Sequence, residues 1–151
     1  MQQFIGSNVV YIRRSNSTSG MTEIAYYDGK TERVDKTPDQ LLNETLHMVN
    51  SSLTASRESM KIVMKYSHYP PVVIDASQNF VFFPLHKRQS YEMCYINNQH
   101  FLQAIDFEDT IIYFTNGRSL IVPDKADQIE KHQLKAIKAT DYFTKLKKRF
   151  L

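Results

Sequence analysis

Short apolar runs separated by polar turns make up most of the chain, and they predict β-hairpins. Val9 to Ile12 and Ile24 to Tyr27 are rich in β-branched and aromatic side chains, which favour strands. Asp28-Gly29 predicts a tight turn with positive φ at both central positions, and Thr31 to Val34 is the expected return strand. The N-terminal part of the chain is therefore predicted to pair locally and antiparallel.

Two more hairpins are predicted further along. Val72 to Ile74 and Phe80 to Phe83 are apolar on both faces, so we expect strands near the middle of the core. Thr110 to Phe114 and Ser119 to Val122 flank Asn116-Gly117, which is the clearest hairpin of the sequence. Two weaker strand candidates are Tyr91 to Asn97 and Phe101 to Ile105.

Helical spacing first appears after Thr37, a candidate N-cap followed by Pro38 and Asp39, residues that suit a first turn. Its predicted apolar stripe consists of Leu41, Leu42, Thr45, Leu46, Met48 and Val49. A second helix is predicted from about Thr54 to Tyr66. We expect its inward residues to be Met60, Val63 and Met64, and its basic face to carry Arg57, Lys61 and Lys65 at four-residue spacing.

A C-terminal helix is predicted to open at Pro123-Asp124. Its expected inward residues are Ile129, Leu134, Ile137, Tyr142, Phe143 and Leu146. Hairpins with two inserted helices and one C-terminal helix predict an α+β fold. No repeat or long linker divides the 151 residues, so we expect one domain over residues 1–151.

Charge is distributed unevenly. From Asp124 to Leu151 there are eight basic residues against four acids, whereas Glu92 to Asp109 holds four acids and no Lys or Arg. This asymmetry fits a polyanion-binding face opposite an acidic one, and an ordinary solvated surface fits it as well. The N-terminus lacks the pattern of a signal peptide and no apolar run is long enough to span a bilayer, so we expect a cytoplasmic protein away from membranes.

Motifs for catalysis are missing from the sequence. The five histidines form no HxH, HxxxH or HExxH pair, and there is no Walker loop, GxGxxG or GxSxG. Cys94 is the single cysteine and lies in an apolar run, where a buried structural thiol is expected. Asp106, Glu108 and Asp109 are interpreted as an acidic turn. We therefore expect no enzyme, no metal site and no cofactor.

Three segments carry a resemblance to a known family. The first consists of Tyr66-Ser67-His68-Tyr69-Pro70-Pro71, the apolar strand after it, and Phe80-Val81-Phe82-Phe83-Pro84. The second is Cys94-Tyr95-Ile96-Asn97, which precedes His100. The third consists of Phe107-Glu108-Asp109-Thr110 and Phe114-Thr115-Asn116-Gly117-Arg118. Together they resemble the competence transcription factor (ComK) family from about Val9 to about Val122. Arg57 lies where the family has a basic residue after a Ser-Ser turn.

The resemblance implies an activator of competence genes that binds A/T-rich double-stranded DNA, assembles as a homo-oligomer such as a dimer, and is delivered to a protease by an adaptor. Such binding needs cations for phosphates and side chains that reach the narrow minor groove. Our candidate DNA-binding residues are Arg57, Lys61, Lys87, Arg88, Arg118, Lys135 and Lys138. Arg57 and Arg118 match basic positions of the family motifs, and Lys135 and Lys138 rest on charge distribution alone.

The chain departs from the family pattern at three places. Tyr95 stands where a tryptophan is expected, Ala136 stands near an expected arginine, and the family continues beyond the position of Leu151 with a tail implicated in assembly and adaptor capture. Two functions stay open on this basis. One is a DNA-binding regulator, and the other is a shortened paralogue that pairs with a full-length activator or occupies its proteolytic adaptor.

Overall fold

A computed structural model describes residues 3–15, 21–85 and 93–150. Within these ranges the strands are β1 (Val9–Arg14), β2 (Thr22–Tyr26), β3 (Thr31–Val34), β4 (Val72–Asp75), β5 (Phe80–Leu85), β6 (Cys94–Asn97), β7 (Phe101–Asp106), β8 (Thr110–Phe114) and β9 (Ser119–Val122). The helices are α1 (Pro38–His47), α2 (Leu53–Ser59) with a π-helical continuation (Met60–Met64), and α3 (Ala126–Phe150). The predicted α+β class is confirmed.

Two antiparallel sheets form the centre of the molecule. The larger has the strand order β3-β2-β1-β6-β5-β4, and the smaller has the order β7-β8-β9. Alternating residues of β5 point to opposite faces: Phe82 packs with the α1 and α2 side, whereas Phe83 packs with the smaller sheet and α3. The six-stranded sheet is therefore covered on both faces, which explains why β5 is buried along its whole length.

The predicted hairpins are confirmed, but the expected turn type is wrong. In both loops only the glycine has positive φ, at 95° for Gly29 and 89° for Gly117. Gly29 N–H donates to the Tyr26 carbonyl and Gly117 N–H to the Phe114 carbonyl, at 3.1 and 3.0 Å. Each loop is thus a type I turn closed by a glycine bulge, which leaves the residue before glycine in ordinary right-handed space.

Helix α1 begins as predicted and ends earlier. The Thr37 hydroxyl accepts from Gln40 N–H while the Gln40 side chain accepts from Thr37 N–H, forming a capping box. The helix stops at His47, so Met48 and Val49 are 63% and 49% exposed, and their predicted place in the buried stripe is wrong. Leu41, Leu42 and Leu46 do fill the core.

The second helix differs from its prediction in its last turns. Residues Met60–Met64 form a π-helix, which shifts the helical phase, so Met60 is buried as expected but Val63 is 39% exposed. Lys65 closes this segment in the left-handed conformation, with a φ of 62°, and its Nζ donates to the Ile62 carbonyl. The change of phase and the left-handed turn explain why Lys65 does not continue the expected row of cations.

Helix α3 lies against β5, with further contacts to β4 and β7. Ala136 and Ala139 are fully buried, because small side chains let the helix approach the sheet closely, and Ile129 is buried beside them. The predicted inward positions Leu134, Ile137 and Tyr142 are wrong: they are 49%, 45% and 40% exposed. The start of the helix is capped by Asp106, whose Oδ1 accepts from Ala126 N–H at 3.0 Å.

Candidate nucleic-acid interface

A row of cations runs along one face of α3. Positions separated by three, four or seven residues share a helix face, and this face carries Lys131, Lys135, Lys138, Tyr142, Lys145 and Arg149, which we call the basic stripe. From Lys131 to Arg149 it is about 27 Å long at the rise of an α-helix. On the same helix Asp141 pairs with Lys145 at 2.9 Å, and both side chains are well exposed. The stripe is therefore a linear positive surface open to solvent.

Beside the stripe, the loop after the π-helical segment contacts α3. Lys135 Nζ lies 5.4 Å from the centre of the Tyr66 ring and donates to the His68 carbonyl at 3.2 Å. The Tyr69 ring packs edge-on against His132, with ring centres 6.1 Å apart. Lys135 is half-buried as a result, and it joins the loop to the helix as well as adding positive charge.

The same loop forms one wall of a cleft of about 560 Å³, which we call the aromatic cleft. Its lining residues are Arg57, Glu58, Lys61, Tyr66, Ser67, Tyr69, Pro70, Pro84, Met93 and Tyr95. The first two motif segments that resemble the competence family meet here, since the Ser-His-x-Pro-Pro stretch, the proline after the β5 phenylalanines and Tyr95 all contribute. The described part of the cleft thus joins flat ring surfaces to two cations, Arg57 and Lys61.

Arg57 is held at the cleft by a three-residue network. Its Nη2 donates to Asp39 Oδ2 at 3.2 Å and to the Tyr95 hydroxyl at 3.1 Å, while the Tyr95 hydroxyl donates to Asp39 Oδ1 at 2.6 Å. Burial raises the pKa of Tyr95, and the adjacent Asp39 carboxylate raises it further. Burial opposes the charge on Arg57, but Tyr95 and Asp39 outweigh it and raise the pKa of the guanidinium. Arg57 therefore stays charged while Asp39 offsets much of its field.

Arg118 occupies a different place. Its guanidinium donates to the carbonyls of Tyr26 and Lys30 at 3.4 and 3.2 Å and to the Thr31 hydroxyl at 3.1 Å. Next to it, Asn116 Nδ2 donates to the Tyr27 carbonyl at 2.8 Å. We call these contacts the hairpin junction, because they join the β8–β9 turn to the β2–β3 turn. Arg118 also lies 5.9 Å from the centre of the Tyr11 ring.

The predicted cations are thus divided between two regions. Arg57 and Lys61 line the aromatic cleft, Lys135 contacts its loop, and Lys138 lies on the basic stripe beside Met64. Arg118 lies apart in the hairpin junction. Lys87 and Arg88 lie outside the described residues, although the strand before them contributes Pro84 to the cleft and Met93 after them contributes as well.

Sequence reasoning missed several residues of this surface. Lys131, Lys145 and Arg149 belong to the basic stripe, and their spacing from Lys135 and Lys138 was a signal that could have identified them. Tyr66 and Tyr69 belong to the first motif segment, but their sequence pattern offered no reason to assign them a binding role. Over the described ranges, no group of three or more His, Cys, Asp and Glu side chains could hold a metal ion. Nor does any helix there have the length and apolar character required to cross a membrane.

Comparison with known proteins agrees with the arrangement of motifs. The family model described as ComK protein matches residues 5–150. The competence transcription factor of Bacillus subtilis (strain 168) is 26% identical over 99 residues, covering 64% of this chain and 52% of that protein. The chain thus spans about half the length of this curated relative. No solved structure matches. Because the family model covers nearly the whole chain, the protein belongs to the ComK protein family.

Proposed function

We propose that this chain is a cytoplasmic transcription regulator of competence genes that binds A/T-rich double-stranded DNA. The basic stripe carries the proposal. Its length corresponds to about eight base-pair steps along the axis of a DNA duplex, and five of its six positions are Lys or Arg. Membership of the ComK family and similarity to a protein named competence transcription factor support the same function. No catalysis is assigned to the chain.

The two parts of the surface have different roles in this proposal. The stripe contacts phosphates, which position the protein and supply affinity that depends on salt. Arg57, together with Lys87 and Arg88, is assigned to the narrow minor groove of A/T-rich DNA, where negative potential is concentrated. Lys61, Lys135 and Lys138 add phosphate contacts. Arg118 is the least suited of the predicted residues, since its donors already serve the hairpin junction.

A titration of fluorescently labelled A/T-rich duplex at several salt concentrations tests the proposal. Wild-type affinity should fall steeply with salt. The variant Lys131→Ala/Lys138→Ala/Arg149→Ala should bind on the order of a few hundred-fold more weakly at 0.1 M salt, and its log–log salt slope should be smaller by about three units, because each phosphate contact contributes about 0.9. These exposed side chains can be removed without disturbing the core.

The matched control is Lys30→Ala/Lys125→Ala/Lys147→Ala, which removes three charges away from the stripe. Its affinity should drop several-fold at most through the change in net charge, with a nearly unchanged slope. Equal losses in the two triple variants would mean that net charge alone, and no particular face, attracts DNA. Binding that ignores salt, or no binding at low salt, would refute the proposed function.

A second candidate function is pairing with another ComK-family chain, and the outer face of the smaller sheet favours it. Ile105, Ile111 and Ile121 lie opposite one another on β7, β8 and β9, and Ile105 and Ile121 are 45% and 63% exposed. Leu102 and Phe107 extend the apolar surface at 58% and 79% exposure. Such surfaces commonly mark protein interfaces. The partner on this face would be a second copy of this chain or a longer activator of the same family.

Light scattering coupled to gel filtration, and pull-down with a full-length competence factor or with its proteolytic adaptor, separate these partners. Ile121→Asp should abolish pairing without unfolding the chain, because the side chain is exposed, whereas Lys30→Asp should leave pairing intact. If the wild-type chain is monomeric and captures neither partner, this second function is wrong.

A further inference from the structure

The loop of the aromatic cleft is held in an unusual backbone conformation. It begins after a π-helical segment and is bracketed by Lys65 and Tyr69, whose φ angles are 62° and 49°. Left-handed conformations are unfavourable for residues other than glycine, asparagine and aspartate, and they cluster together with π-helices at binding sites. Tyr66, Ser67 and His68 are the residues between the two left-handed positions.

This conformation presents aromatic rings at the surface. Tyr69 is 36% exposed despite its size, and Tyr66 is partly exposed. Pro70 and Pro84 add flat, rigid surface to the same cleft. A cavity of about 560 Å³ falls within the size range of sites for small organic groups. The cleft can therefore hold a planar group against ring faces.

The described lining of the cleft includes two cations, Arg57 on α2 and Lys61 on its π-helical continuation. Arg57 is fixed by Asp39 and Tyr95, whereas Lys61 is exposed and makes no ion pair among the described residues. Among the described lining residues Glu58 is the single acid, and its carboxylate can accept hydrogen bonds from amide or amino groups of a planar ligand. A planar group joined to an anion matches this distribution of charge, and a nucleotide has that composition.

We propose that the aromatic cleft takes up one unstacked nucleotide of DNA, with the base against Tyr69 and Tyr66 and its phosphate near Lys61 and Arg57. Aromatic rings beside a basic track are the usual means by which proteins bind single strands. A nucleotide is favoured over an acidic aromatic peptide because Lys135 joins the cleft directly to the basic stripe, so one strand can occupy both. The inference rests on the proposed DNA binding and adds a preference for single-stranded or locally opened DNA.

The test compares three fluorescently labelled probes at one salt concentration: a short oligothymidylate, an abasic strand with the same number of phosphates, and an A/T-rich duplex. Wild-type protein should bind the oligothymidylate about 10-fold more tightly than the abasic strand, because only the former has bases to stack. Tyr69→Asn removes the ring, and asparagine tolerates the left-handed backbone at this position. It should lose that preference and keep its affinity for the duplex.

The control is Tyr27→Asn, which removes a tyrosine of similar exposure from the β2–β3 turn, outside the described lining of the cleft, and should retain the preference. Equal affinity of the wild type for the oligothymidylate and the abasic strand would overturn the inference while leaving the proposed function standing if the duplex binds. Failure of all three probes would refute both. A labelled Glu-rich peptide containing phenylalanine serves as the fourth probe. If it binds in a Tyr69-dependent manner and the oligothymidylate does not, the cleft is a peptide site and the inference is wrong.

Discussion

Two arginines at basic positions of family motifs, Arg57 and Arg118, have opposite surroundings. Arg118 lies against the neighbouring hairpin and donates to two of its backbone carbonyls and one of its hydroxyls. Arg57 lines the aromatic cleft, where a carboxylate and a tyrosine hold it while leaving part of it exposed. A cation at a family motif can thus join elements of the fold or serve at a surface, and its hydrogen-bond partners distinguish the two cases.

The difference follows from the hydrogen-bond acceptors that each arginine satisfies. At the hairpin junction, two turns meet and the carbonyls of Tyr26 and Lys30 face Arg118, so its removal leaves acceptors without that donor. At the cleft, Asp39 and the Tyr95 hydroxyl also bond to each other, so they keep a partner when the guanidinium is removed. We therefore expect Arg118 substitutions to affect stability and substitutions around Arg57 to affect binding more strongly.

The largest effect is expected for Arg118→Ala. Hydrogen bonds from a charged donor contribute about 1.5–3 kcal/mol, so we expect the free energy of unfolding to fall by about 3 kcal/mol in urea denaturation. Affinity for A/T-rich duplex should be unchanged under conditions where the variant is folded. Lys30→Ala, an exposed side chain of the same junction, should leave stability within about 0.5 kcal/mol of wild type. A variant that is stable but binds DNA poorly would place Arg118 in the DNA interface.

A smaller loss is expected for Tyr95→Phe. The change removes a buried hydroxyl that donates to Asp39 and accepts from Arg57, which should cost about 1–2 kcal/mol of unfolding free energy. Tyr113→Phe, whose hydroxyl makes no hydrogen bond among the described residues, is the matched change and should be close to neutral. Equal stability of the two variants would show that the network around Arg57 contributes nothing to folding.

Asp39→Asn should increase DNA affinity about threefold, because the variant keeps an oxygen acceptor for Tyr95 but no longer neutralises Arg57. The salt slope should rise by up to about one unit, as for one added phosphate contact. The affinity titration with A/T-rich duplex measures both quantities. In an Arg57→Ala background the same substitution should increase affinity less, and an identical gain there would show that Asp39 acts without Arg57.

The smallest effect is expected at alkaline pH. Burial raises the pKa of Tyr95 in the folded chain above its ordinary value of 10.0, with the Asp39 carboxylate adding to the rise. The folded state therefore holds the Tyr95 proton more tightly than the unfolded state does. The protonated hydroxyl contributes fully to the free energy of unfolding well below pH 10, and this contribution is lost as the pH rises through the folded-state pKa. At pH 10 the free energy of unfolding is about 0.4 kcal/mol lower than at neutral pH on account of Tyr95, because half of this side chain would be ionised in the unfolded state. Comparing wild type with Tyr95→Phe isolates this contribution from Tyr26, whose pKa burial and the Glu32 hydrogen bond raise to about 12.

Local features of the fold could be predicted because they depend on neighbouring residues. The Asp28-Gly29 and Asn116-Gly117 turns, the Thr37 cap and the buried β5 strand follow from turn chemistry, capping and apolar runs. The faces of α3 could not be assigned in the same way. Apolarity favoured Leu134 and Ile137 as inward residues, whereas close approach to the sheet requires Ala136 and Ala139 there. The distance between two elements is a tertiary property that hydrophobic periodicity does not contain.

The candidate site was predicted in part. Arg57, Lys61, Lys135 and Lys138 lie on one side of the molecule, in agreement with the charge asymmetry of the sequence. The contacts of Arg118 join residues 87 to 92 positions apart, and no local pattern indicates such a pairing. The π-helical segment Met60–Met64 and the left-handed Lys65 separate Lys65 from Arg57 and Lys61, and regular helical spacing in the sequence does not indicate either feature.

The order of strands in the six-stranded sheet has a consequence for how the chain folds. β1, β2 and β3 pair as sequence neighbours, as do β4, β5 and β6, but β1 and β6 join these halves through Tyr11–Ile96, Ile12–Tyr95 and Arg13–Cys94. Each half needs only short loops to close, whereas the joining step closes a loop of more than 80 residues and is entropically the most costly. We expect the two halves to form early and their docking to limit the folding rate, so substitutions at Ile12 or Ile96 should slow refolding more than equally destabilising ones in β3.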